Sequence, residues 1–569
     1  MLSPSSGWRT VLAAVIASLP LMMGAPPASA QHTHGAVTSV AKNRDAAWRM
    51  PPMPPMSPIP GFEHAIPNVT PFLPAGAATD SAIPWARPRR LVSVSDGDTV
   101  TLTVGLVRRR LDGQTLVMYG YNQQYPGPLL RVRQHATIYV RLLNEIGWPT
   151  TAHWHGVRVD NQFDGTITAT QVAVPQGSSF VYRVRFQDPG IYWYHPHQRA
   201  DVQQDLGLAG NILVDRADRT TGSAADHDEV LLLDDLLLDE RGILPYGEEA
   251  PNHALMGRVG NVLLANGEPK LRLQARAGEV VRFYLTNAAS ARTFNLSFDG
   301  ARMKLIGADM GRYEREVWVK SVVIAPAERY VVDVRFDAPG AVALVNRVQA
   351  VDALRGDFRP EVDTVARVDV ARSSTQSVAG RRFDRVRADS AVLIEMRRYR
   401  SFLAKRPNHQ LTLSLDAGGM PDIMQRMMRM DTVYAPPVEW TDPMPMMNWL
   451  VTGTQARWVL RDPETGREND AIDDWRFHVG DLVKIRLVND ARTVHAMQHP
   501  IHIHGQRFLV LERDGQPNDN LAWKDTVLVP AGSVVDILLD ASNPGEWMLH
   551  CHIAEHLETG MHLTFTVGS

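Results

Sequence analysis

His135-Ala-Thr-Ile-Tyr-Val-Arg-Leu-Leu-Asn144 decides the fold, because its pattern occurs three times in the chain. The other copies are Gly278-Glu-Val-Val-Arg-Phe-Tyr-Leu-Thr-Asn287 and Gly480-Asp-Leu-Val-Lys-Ile-Arg-Leu-Val-Asn489. All three place apolar residues at the fourth, sixth and eighth positions and Asn at the tenth. Apolar residues at period two predict half-buried β-strands. A second unit recurs downstream of each copy. Pro175 leads to Gly190 through Phe180–Phe186, Pro326 to Gly340 through Tyr330–Phe336, and Pro530 to Gly545 through Val534–Leu539. Each ends in a Pro-Gly turn signal. The chain is therefore expected to be all-β, with three homologous two-sheet domains at about 88–222, 223–372 and 386–569.

Outside these repeats the chain has other signals. Its 569 residues are 44% hydrophobic and 21% charged, an ordinary globular composition. Lys and Arg total 59 against 62 Asp and Glu, so no basic excess is present to hold nucleic acid. The single cysteine excludes an internal disulfide framework. Residues 1–30 contain one charge, Arg9, then an apolar run from Val11 to about Ala25 and a small-x-small site at Ala28-Ser29-Ala30. This predicts a signal peptide and export to the periplasm or beyond, without a twin-Arg signal. No other stretch is apolar enough for a membrane span. Residues 31–87 are a Pro/Met-rich linker, in which Met50-Pro51-Pro52-Met53-Pro54-Pro55-Met56 should be extended.

The three copies diverge where chemistry begins. Five residues past Gly190 and Gly545 stand His195-Pro196-His197 and His550-Cys551-His552, whereas Gly340 is followed there by Val345-Asn346-Arg347. The middle domain is thus expected to be a metal-free spacer or substrate wall. Two further His-x-His pairs, His153/His155 and His502/His504, bring the total to four. Residues i and i+2 of a strand face one side, so each pair offers two imidazoles to one cavity. Eight imidazoles suit two or three metals of the copper, zinc, iron or nickel group.

Cys551 selects among these metals. It lies between His550 and His552, so its sulfur faces away from their imidazoles. His556 follows five residues later and Met561 ten later, and His499 precedes the third pair. One thiolate, two imidazoles and a weak axial thioether form a blue-copper ligand set. A mononuclear copper is thereby joined through Cys551 and its neighbours to a multinuclear cluster.

These motifs resemble those of the multicopper oxidases, the laccase, ascorbate oxidase and bacterial cuprous-oxidase family. The resemblance covers about residues 88–569. It implies three cupredoxin-like Greek-key β-sandwich domains and four coppers per chain. His499, Cys551, His556 and Met561 match the type 1 site, and His153 and His502 the type 2 copper. His155, His195, His197, His504, His550 and His552 match the type 3 pair. The implied reaction takes single electrons from a donor and reduces O₂ to water. That reduction consumes protons, and Asp164, in an Asp-Gly turn nine residues past His155, matches the family's relay carboxylate. Many bacterial members have Glu directly after the second type 1 His; here Leu557 stands there, followed by Glu558.

The electron donor is read from the methionines. Eight of the 22 fall between Met420 and Met447, and Met420, Met424, Met427 and Met428 would share one helical face. Thioethers are soft Cu(I) ligands, but Met also fills core gaps, so this face fits docking or packing. His495 and Met497 closely precede His499 and form a candidate cuprous docking site. The expected function is an exported oxidase of Cu(I) in copper tolerance. The alternatives are a laccase acting on phenols and a non-catalytic copper or electron-transfer protein. A copper nitrite reductase would not need the type 3 pairs.

Overall fold

Each of the three repeats forms a strand: Thr137–Asn144, Val280–Asn287 and Asp481–Asn489. In the computed structural model, each lies parallel to an earlier strand, Thr99–Leu111, His227–Leu236 or His409–Asp416 respectively. Each is antiparallel on its other side to the strand of the second repeat, Ser179–Arg185, Arg329–Arg335 or Val534–Ala541. Parallel neighbours cannot be joined by a hairpin, so the intervening chain crosses to a second sheet. The result is three cupredoxin-like sandwiches in an all-β chain. The described residues are 71–74, 81–167, 169–217, 225–352, 357–373, 377–419, 425, 438–440 and 456–569. The expected signal peptide, most of the linker, and Met424 and Met428 with the rest of their Met-rich stretch lie outside them.

In the first sandwich, the sheet with Thr137–Asn144 faces a five-stranded sheet ordered Leu91–Val94, Leu129–Arg133, Gly210–Asp215, Gly190–His195, His153–His155. In the third, the facing sheet runs Arg476–His478, His562–Gly568, Gly545–Cys551, His499–Ile503, Thr526–Val529. The residues that read as metal ligands are concentrated on these facing sheets.

The recurrent Asn is a clamp. Asn144 Nδ2 donates to the Trp148 and Val174 carbonyls, both at 2.8 Å. Asn287 does the same to Arg292 and Ile324 at 2.8 and 2.9 Å. Asn489 holds Met497 at 2.6 Å and Val529 at 3.0 Å. A buried amide that donates to two carbonyls fixes loop geometry better than any apolar residue can. In the third domain, the loop so fixed leads directly into His499.

The period-two expectation fails for the middle copy. Val280–Asn287 is buried on both faces except at Tyr284. Its second face meets the first domain, where Leu129, Ile191 and Leu213 pack with Val230, Ile306 and Val331 against Tyr284. Two neighbouring segments also cross expected boundaries. Phe72, Trp85 and Arg87, inside the expected linker, bridge Tyr246, Arg108 and Gln124. Val438–Trp440 adds a parallel strand to Gly340–Asp352 of the middle domain. No helix among the described residues is long and apolar enough to cross a membrane.

Candidate metal centre

Strand register assembles the histidines. His153 pairs with His195 across one sheet, and His502 with His550 across another. Where the sheet ends meet, three donor groups form, each with its ligand atoms within 4.8 Å of one another: His155/His195/His552, His197/His504/His550 and His153/His155/His502. Each draws on both the first and the third domain. The geometry thus divides the six type 3 candidates into two sets of three and leaves His153 and His502 together.

The nitrogens are sorted by their outer partners. His153 Nδ1 bonds the Asp164 carbonyl at 2.8 Å and His502 Nδ1 the Asp525 carbonyl at 2.9 Å. His195 and His550 use Nδ1 on the carbonyls of Pro196 and Cys551. The opposite nitrogens, Nε2 of His153, His195, His197, His502 and His552, are buried without a partner. His155 is reversed: its Nε2 meets Asp525 Oδ1 at 3.1 Å and its Nδ1 is unpartnered. His504 and His550 bring their Nε2 atoms to 3.0 Å from each other. Unpartnered buried imidazole nitrogens are costly, and convergent ones fit metal ions. Burial also lowers the pKa of His197 to about 3, and pushes His195, His504, His550 and His552 well down. Their lone pairs are therefore available at neutral pH.

The sulfur site lies on the other side of the strand Gly545–Cys551. Cys551 Sγ is 3.6 Å from Nδ1 of both His499 and His556. Burial raises the Cys551 pKa, so binding a metal there must displace the thiol proton. Met561 is fully buried, its carbonyl accepts from the Cys551 N–H at 3.1 Å, and its own N–H reaches the His556 carbonyl. Trp458, which the sequence reading missed, packs 4.6 Å from each imidazole. The middle domain adds the helix Ala250–Met256, whose Leu255 carbonyl meets His556 Nε2 at 3.1 Å. The Ala254 carbonyl accepts from Trp458 Nε1. His495 and Met497 are buried nearby, with the His495 ring 6.2 Å from Trp458.

Two carboxylates line the histidine nest. Asp164 Oδ2 accepts from His504 Nδ1 at 2.8 Å and from the Thr166 hydroxyl, and its Oδ1 lies 3.3 Å from His153 Nδ1. Burial opposes its ionisation, but His504 and His153 overcome that and hold its pKa well below the usual range. Asp525 was missed, because no motif marks it: it lies 21 residues past His504. Glu555 was also missed. It sits in the helix Ala554–Glu558, and burial raises its pKa to about 8, so it keeps a proton at neutral pH where Leu557 has none to offer.

Three multicopper oxidase family models match residues 103–219, 229–369 and 439–569. The chain belongs to the multicopper oxidases. It is an oxidoreductase family that uses O₂ as acceptor and binds copper. The oxidase is 28% identical over 548 residues to multicopper oxidase MmcO of Mycobacterium tuberculosis, covering 88% of this chain and 93% of that one. A laccase of Bacillus subtilis is 25% identical over 513 residues, with 78% and 89% covered. Among solved structures, the oxidase superposes on a Campylobacter jejuni multicopper oxidase described as a metallo-oxidase with a TM-score of 0.63. Identity is 21%, over 86% and 98% of the two chains. A laccase-like enzyme of an Ochrobactrum species gives 0.64 at 22%, over 85% and 100%. These two likenesses carry the fold.

Proposed function

We propose that the oxidase holds four coppers, one at His499/Cys551/His556/Met561 and three in the histidine nest, and that Cu(I) is its electron donor. Copper at these places supplies one-electron exchange at the sulfur and O₂ reduction at the nest. The observation that carries the reading is the position of Cys551. Its sulfur belongs to one donor group, while its chain neighbours His550 and His552 belong to two others. Electrons accepted at the sulfur therefore have a path of a few covalent bonds to the nest. A carrier protein would need only the sulfur site.

The choice of donor rests on access. Both imidazoles beside Cys551 are fully buried, and Leu255 caps one of them. A phenol arriving from solvent cannot touch them, so electrons enter through neighbouring side chains. Met497 supplies a soft thioether and His495 an imidazole in the segment leading into His499, and Met424 and Met428 fall in a stretch suited to gathering Cu(I). The Campylobacter neighbour's description as a metallo-oxidase agrees with this reading, and the laccase relative keeps phenols as the second. Export through residues 1–30 would place the enzyme where it detoxifies periplasmic or external copper.

Metal analysis with oxygen uptake tests this. Four coppers per chain and faster uptake with Cu(I) than with an electron-rich phenol are expected, with the Cu(I) rate reduced in Met497→Leu. Faster uptake with phenol, unchanged in that variant, would overturn the donor. Fewer than three coppers with no uptake would overturn the oxidase reading.

A further inference from the structure

The middle domain holds no His pair, yet its Arg329 side chain reaches the edge of the histidine nest. This residue is fully buried, and its guanidinium grips Asp525 with both ends, Nη1 to Oδ1 at 2.6 Å and Nη2 to Oδ2 at 2.5 Å. Asp525 in turn touches two histidines. Its Oδ1 is 3.1 Å from His155 Nε2, and its carbonyl is 2.9 Å from His502 Nδ1. We propose that Arg329 is a positioning residue for the copper nest: by fixing Asp525 it sets the reversed orientation of His155 and the aim of His502. The inference rests on the assignment of the nest as a copper site.

Four observations support it. First, Arg329 is tied to all three domains. Its Nε donates to Ile191 O of the first at 3.0 Å, its Nη1 to Ala327 O of its own at 3.2 Å, and its N–H to Asp309 Oδ1 at 2.8 Å. Asp525 N–H adds a contact to Asp309 Oδ2 at 3.2 Å. A guanidinium with four of its five N–H donors engaged is held in one pose, which a lysine cannot reproduce. Second, Asp525 and the Thr526 hydroxyl that donates to it separate His155 from its neighbours: His153, His195, His502 and His550 anchor through Nδ1, and His155 alone among these anchors through Nε2, 3.1 Å from both Asp525 Oδ1 and Thr526 Oγ1. The partner on the outer nitrogen decides which nitrogen is offered inward. Third, Gly156 follows His155 with φ +82°, and a Cβ there would collide with both Asp525 Oδ2 and Arg329 Nη2. The glycine of His153-Trp154-His155-Gly156 thus makes room for this ion pair. Fourth, the pair is not a surface contact, since both side chains are 0% exposed. Ion pairs so deeply buried are weak contributors to stability and are better explained by specificity.

The test uses the full chain, copper-loaded, as wild type, Arg329→Gln, Arg329→Lys, Asp525→Asn and the Arg329→Gln/Asp525→Asn double variant. Loss of an outer partner of a metal ligand weakens binding by about 10- to 100-fold. The expected result is retained blue absorption from the sulfur site, with nest copper and the type 2 EPR signal lost at chelator concentrations about tenfold below those that strip wild type. Anaerobic bleaching by the donor should stay at the wild-type rate, while recovery of colour in O₂ slows. Arg329→Lys should behave like Arg329→Gln, and it serves if the latter does not fold. The double variant should lose no more than the worse single one, as residues acting through one another do. Wild-type copper retention and EPR signal in Arg329→Lys would overturn the proposal, as would additive losses in the double variant. A wild-type chain that takes up no nest copper would instead overturn the site assignment.

Discussion

Asp164→Asn isolates the role of the second carboxylate without changing its size. In the native site, Asp164 accepts from His504 at 2.8 Å, lies 3.3 Å from His153 Nδ1, and is almost fully buried. A buried hydrogen bond to a charged group contributes about 1.5–3 kcal/mol and one between neutral groups about 0.5–1.5 kcal/mol. Removing the charge should therefore cost about 1–1.5 kcal/mol at each of the two hydrogen bonds that Oδ2 accepts, from His504 and from the Thr166 hydroxyl. The sum, about 2–3 kcal/mol, corresponds to roughly a 30- to 150-fold loss of rate if these contacts tighten as protons are consumed. The assay is stopped-flow: bleach the blue colour with donor under argon, mix with O₂, and follow its return. Bleaching should remain within about twofold of wild type, while the return slows by the stated factor. The carboxylate is ionised well below its ordinary range, so the deficit should be constant from about pH 5 to pH 8. A return of colour within about threefold of wild type, in a variant with full copper, would refute the reasoning.

Cys551→Ser should abolish the blue colour and Cu(I)-driven oxygen uptake while leaving the circular dichroism unchanged; residual uptake would break the proposed electron path. Asp205, outside the site, has its pKa pushed up by burial to about 6, despite Arg258 and Tyr246 beside it. Its folded pKa exceeds its unfolded value of 3.8, so its contribution is complete below pH 3.8 and is lost as pH rises through 6. Asp205→Asn should thus gain about 3 kcal/mol on wild type between pH 4 and pH 7 in urea unfolding, and parallel pH curves would contradict this. Chelating all copper should raise amide exchange at His153–His155 and His499–Ile503 together, with less change in Val280–Asn287; exchange confined to one of the two ligand strands would argue against a shared site.

Much of the molecule was legible because its signals are local. Period-two patterning located Thr137–Asn144 and its copies, and alternation within His550-Cys551-His552 gave opposite faces to sulfur and imidazoles. What escaped depends on contacts between distant residues. Arg329 and Asp525 are 196 positions apart, and neither sits in a metal motif. Trp458 reads as an ordinary strand residue until the helix Ala250–Met256 is placed beside it. The doubly buried middle strand escaped for the same reason, since its second face is covered by another domain. The repeated Asn was noticed at once, but its role as a clamp required the carbonyls that it holds.

The histidine nest also has a consequence for timing. His155 meets Asp525 across 370 residues of chain, and Asp164 meets His504 across 340. A chain emerging from its N-terminus can fold its first sandwich early, but at that stage it owns only one or two of the three members of each histidine group. On the proposed ligand assignment, full-strength copper binding must wait until His550, Cys551, His552, His556 and Met561 have emerged. Metal capture then closes a loop that spans most of the protein, and the ions act as late rivets on an assembly already shaped by its sheets. On the proposed ligand assignment, a product lacking those residues would bind copper poorly and remain colourless.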